Sequence, residues 1–113
     1  MIERTYKVAT VAVLAVGIVH TVATFRFYPA LTEAAIWFAG AGLGGIFVAL
    51  LNVALWAQYP SVLSWRPSAA GNGLFLAWLA AGVLATPQLP QFIVGSVGAV
   101  MVVSAFWLYA KSS

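Results

Sequence analysis

The stretch AAIWFAGAGLGGIFVALLNVALWA, residues 34–57, carries no charge. It exceeds the roughly 20 apolar residues that a helix needs to cross a bilayer. Four of its residues are glycines set close together, Gly40, Gly42, Gly44 and Gly45. Trp37, Ala41, Gly45, Ala49, Asn52 and Trp56 recur at spacings of three or four, which places them on one helix face with tryptophans at its ends and small residues in its middle. Gly40 and Gly44 add a GxxxG pair beside that face. In lipid such faces let helix backbones touch and pack by van der Waals contact. Thr32 stands where an N-cap belongs, and Glu33 follows in the first turn, where a carboxylate suits the helix dipole.

Working outward, three more apolar runs appear, at about residues 8–24, 69–86 and 91–109. Of the 113 residues, 64% are hydrophobic and 6% charged. A soluble domain carries about 25% charged residues, so this composition cannot cover a water-facing surface, and the solvent must be the bilayer. The first run follows Glu3, Arg4 and Lys7, as a signal peptide would, but it is long, lacks a clean A-x-A site and is followed by further spans. It is read as a retained helix. Pro29 ends it, Ser68 is placed to cap the third helix after a loop over 58–68, and Pro87 and Pro90 bracket the last turn. The expected fold is an all-α bundle of four transmembrane helices, arranged as two antiparallel hairpins in a single domain.

Both ends of the chain and the 58–68 loop then share one side, which holds Arg4, Lys7, Arg66 and Lys111, whereas the other side has Arg26 alone. That bias places both termini in the cytoplasm and the protein in the plasma (inner) membrane. The net charge of +3 comes from basic residues scattered near helix ends, with no stripe to follow a nucleic-acid backbone. The absence of cysteine removes thiolate metal sites and thiol chemistry.

Candidate chemistry is sparse. His20, Thr24, Arg26, Glu33 and Trp37 fall near one end of the first hairpin, and an ionisable residue inside a span is a functional candidate by default. They are read as a ligand-binding vestibule, or else as hairpin staples in which His20 bonds a carbonyl or Thr24 and Glu33 pairs with Arg26. Asn52 and Asn72 form a second polar pair near the other end and are read as structural glue between helices. Gly17, Gly40, Gly44, Gly45 and Gly95 are read as packing positions. The tryptophans near helix ends suit a headgroup interface. The glycines of AGAGLGG are no phosphate loop, since no strand precedes them and no Lys-Ser/Thr follows. No metal or cofactor set can be assembled from one histidine and two carboxylates.

The pattern Gly17-x-x-His20-Thr21, Ala35-x-Trp37-Phe38-x-Gly40-x-Gly42-Leu43 and Leu51-Asn52 resembles that of a group of small bacterial four-span membrane proteins with no known activity. The resemblance covers the first half of the chain and implies the span count but no reaction. Small multidrug exporters share the length, yet their mechanism needs a buried carboxylate where this first span has His20. The expectation is a non-enzymatic accessory or assembly subunit, either a homo-oligomer or part of a larger membrane complex. The alternative is a small oligomeric transporter or ligand- or lipid-binding protein with its site around His20.

Overall fold

The computed structural model describes residues 2–57 and 62–112. Gln58 and Tyr59 lie outside the described residues, as do the side chains of Trp56 and Trp65. The chain is all-α, with helices α1 (Ile2–Phe27), α2 (Glu33–Ala57), α3 (Val62–Ala85) and α4 (Leu89–Ser112). Each is long and apolar enough to cross a membrane. The bundle measures 47 × 24 × 21 Å, so its long axis exceeds the ~30 Å thickness of a hydrocarbon layer.

The turns follow from the local sequence. The Tyr28 amide still donates to the Thr24 carbonyl at 2.8 Å, and Pro29, which has no amide hydrogen, ends the run. Thr32 caps α2, its Oγ1 accepting from the Ala35 amide at 3.2 Å. At the second turn the Thr86 amide donates to the Gly82 carbonyl at 2.9 Å before Pro87 stops α3. Pro90 then sits in the first turn of α4, where its missing donor costs nothing.

Two expectations are corrected. α1 begins at Ile2, so Arg4 and Lys7 belong to the helix rather than precede it. α3 begins at Val62 and runs through Pro67, so residues 62–68 are not loop and Ser68 is not a cap. The missing donor of Pro67 removes one bond from a helix that otherwise continues, and the Ser68 hydroxyl is used elsewhere.

α1 packs closely on α2 and α4, α3 packs on α4, and the α2–α3 seam is the thinnest of the four. The core runs along the α1–α4 line through Tyr6, Ala9, Val13, Met101, Val102 and Ala105, with Val48 and Ala49 added from α2. Large apolar side chains face outward on every helix, Phe25, Phe47, Leu74 and Trp107 among them, as a lipid solvent requires. The α1–α2 contact is set by glycine. A Cβ at Gly17 would stand 2.9 Å from the Gly42 carbonyl oxygen, and one at Gly42 would stand 2.8 Å from the Thr21 amide nitrogen. Neither position has room for a side chain, so both backbones approach to contact there.

Candidate functional site

Near the end of the bundle where the chain begins and finishes, five side chains from all four helices form one buried hydrogen-bonded layer. Tyr6 of α1 donates its hydroxyl to Oδ1 of Asn52 on α2 at 2.5 Å. Asn52 and Asn72 of α3 then face each other as a reciprocal amide pair. Nδ2 of Asn52 reaches Oδ1 of Asn72 at 2.8 Å, and Nδ2 of Asn72 reaches Oδ1 of Asn52 at 3.0 Å. The second amide hydrogen of Asn52 goes to the Val48 carbonyl at 2.7 Å, and that of Asn72 to the Tyr109 hydroxyl at 2.9 Å. Tyr109 of α4 shares a hydrogen bond with Ser68, one turn before Asn72 on α3.

The donor count closes: each amide group has two hydrogens and both are spent. Asn52, Asn72, Ser68, Tyr6 and Tyr109 are all buried. An unsatisfied amide in this setting would cost several kcal/mol by reference to hydrocarbon, so the layer holds the four helices in one register. The sequence pointed to Asn52 and Asn72 but not to Tyr6, Tyr109 or Ser68. The signal was present in one place, since Ser68 and Asn72 stand four residues apart on one face of α3.

The other half of the bundle is built differently. Between the two hairpins lies a cleft of about 450 Å³ to which all four helices contribute. Its walls are mostly apolar, with Phe38, Phe75 and Trp78 the large aromatics and Gly17, Gly42 and Gly82 the places where backbone forms the wall. His20, Thr86 and Gln91 bring polar side chains, and no Asp, Glu, Lys or Arg lines it. The imidazole of His20 stacks on Phe38 with ring centroids 4.0 Å apart and planes 18° from parallel. Phe38 is held in turn against Tyr28 at 5.3 Å. Nε2 of His20 is buried and has no hydrogen-bond partner, the one such side-chain atom among the described residues.

The expected vestibule residues do not converge. Thr24 is buried, and its hydroxyl lies 3.5 Å from the carbonyl of His20. Arg26 and Glu33 are exposed. The Glu33 carboxylate lies 3.4 Å from the indole Nε1 of Trp37, one turn on, rather than pairing with Arg26. Trp37 lies one residue from the Phe38 that stacks on His20, but its own side chain points out of the bundle. Helix α2 turns about 100° per residue, so Phe38 rather than Trp37 faces α1 at that depth. His20 is instead brought together with Phe75, Trp78, Gln91 and Thr86 of the second hairpin. Those residues carried no sequence signal, because nothing local shows which faces of separate hairpins will meet.

The packing glycines also divide. Gly17, Gly42 and Gly45 lie in the α1–α2 contact. Gly95 packs inside the second hairpin, where a Cβ would meet Val83 at 3.2 Å. Gly40 and Gly44 have nothing within 4 Å of an added Cβ and open onto an outer groove between α2 and α3, flanked by Trp37, Phe47, Leu74 and Trp78.

No protein-family model matches the chain, and neither does any curated protein or solved structure. Fold and geometry define its class, an all-helical bundle with four helices able to span a membrane.

Proposed function

We propose that this chain is a small non-enzymatic membrane protein that works by packing, as an accessory or assembly subunit joined to a second copy of itself or to a larger membrane complex. One observation carries the reading: the GxxxG pair Gly40 and Gly44 is left unused by the chain's own helices and lines an open groove. In lipid a small-residue groove gains van der Waals contact and loses no hydrogen bond when another helix enters it. The polar groups of the Asn52–Asn72 layer are already spent on the bundle, which leaves them free for no chemistry. The setting proposed is a bacterial plasma membrane with both ends of the chain in the cytoplasm. It is supported by four basic residues on that side (Arg4, Lys7, Arg66, Lys111) against Arg26 on the other.

Native mass spectrometry of protein extracted gently from its own membrane tests this. Gly44→Leu is expected to release the partner and leave the bundle's own unfolding transition in place, because open space surrounds that position. Retention of the full assembly in the variant overturns the reading. A second reading, a ligand-binding membrane protein, is favoured by the His20 cleft, whose size falls within the range of about 300–1,000 Å³ usual for small-molecule sites.

A further inference from the structure

We propose, on the second of these readings, that the cleft takes an uncharged amphiphile: an apolar body with a single hydroxyl or carbonyl head, admitted from the bilayer between α2 and α3. Three independent features set this chemistry. The lining contains no Asp, Glu, Lys or Arg, so an ammonium or carboxylate head would enter a low-dielectric site with no such side chain to pair with it. The walls are mostly apolar and aromatic, with Phe38 from α2 and Phe75 and Trp78 from α3. The polar groups gather at the hairpin end, where the buried Nε2 of His20 lacks a partner and the Gln91 carboxamide reaches over the cleft to within 3.8 Å of where a Gly82 Cβ would stand. A neutral imidazole nitrogen pairs with a hydroxyl in either tautomer, as acceptor or donor, and with a carbonyl when it carries the hydrogen. His20 lines the cleft, and a turn of its ring would bring Nε2, which the bundle leaves unsatisfied, to a head group lodged there.

The entry route follows from the packing. The α2–α3 seam is the thinnest of the four packed seams. Ala41, Phe75 and Trp78 line both the inner cleft and the outer groove, so the two spaces adjoin at these residues. A ligand dissolved in the bilayer therefore has a path past Trp78 that breaks no hydrogen bond of the Asn52–Asn72 layer.

The test uses the full chain in phosphatidylcholine nanodiscs and three photoactivatable probes that share one diazirine-bearing hexadecyl tail. Their heads are an alcohol, a carboxylate and a quaternary ammonium. The alcohol is expected to label the α3 segment Phe75–Gly82, with unlabelled hexadecanol competing. Gly82→Phe, which fills the cleft from a position with space around it, is expected to reduce that labelling at least about fivefold; Val94→Phe serves as a second filler should the first disturb folding. His20→Phe keeps the ring stack and removes the nitrogen, and is expected to weaken competition by hexadecanol about fivefold. Equal labelling by all three heads that Gly82→Phe abolishes would overturn the head-group chemistry and leave a ligand cleft standing. Labelling by every probe that neither filler changes would overturn both the proposal and the ligand-binding reading beneath it.

Discussion

The two halves of this bundle handle buried polarity in opposite ways. Toward the chain ends, five side chains from four helices pass hydrogen bonds from Tyr6 through Asn52 and Asn72 to Tyr109 and Ser68. Toward the hairpin turns, the helices part around a cleft and His20 keeps a buried nitrogen without a partner. In lipid the hydrophobic effect does not drive helices together, so close contact and interhelical hydrogen bonds must do so. One half uses both. The other uses the Gly17–Gly42 contact between α1 and α2 and leaves α2 and α3 loosely joined. A protein needing only to persist in the membrane would gain by closing that half as well. Its openness is the reason to look there for a ligand and on its outer rim for a partner.

The strongest way to break the comparison is to attack the contact that forms the cleft's back wall. Gly42→Leu places a side chain against the Thr21 amide and the Gly17 carbonyl, backbone groups that cannot step aside. It is expected to cost about 3 kcal/mol in reversible unfolding in mixed micelles. Gly44→Leu, two residues on, is expected to leave the same transition unmoved. If both variants unfold alike, the division of the α2 glycines into inner and outer sets is wrong.

Next in size is the polar layer. Asn72→Leu strands one amide hydrogen of Asn52, leaves Asn52 Oδ1 with Tyr6 as its one remaining donor, and removes the donor to Tyr109, for an expected loss of about 2 kcal/mol. The double variant Asn52→Leu with Asn72→Leu should cost less than the two single losses added together, since it removes both halves of the amide pair. Strict additivity in that cycle would mean the amides do not bond each other. Tyr109→Phe should cost about 1 kcal/mol or less, because Asn72 still has the Asn52 carbonyl oxygen at 3.0 Å and the Ser68 hydroxyl at 3.3 Å within reach.

The same contrast explains what could be read before folding. The number and type of elements were legible because apolar run length and proline position are local properties, and the Thr32 cap was legible for the same reason. Asn52 and Asn72 stood out because amides are rare in a span. Tyr6 and Tyr109 did not, because tyrosine near a helix end also reads as an interface anchor, and only the packing turns these two inward. The start of α3 was misplaced because Pro67 reads as a boundary, whereas five residues of α3 precede it. The His20 cleft was least legible. One of its walls comes from the second hairpin, and the choice of Phe38 over Trp37 as the histidine's neighbour rests on a rotation of one residue about α2.

The smallest expected effect has the opposite sign from the others. His20→Phe preserves a planar ring for stacking on Phe38 and deletes a buried nitrogen that no group satisfies. Every polar deletion in the other half removes a bond; this one removes a desolvation cost. Unfolding of the variant in ligand-free micelles should therefore shift by about 0.5–1 kcal/mol toward greater stability. In protein carrying a bound amphiphile the shift should vanish or reverse, because the nitrogen then has a partner to lose. A loss of stability in ligand-free protein would mean that His20 is tied into the bundle after all. The two halves would then differ in packing density but not in how they treat polar groups.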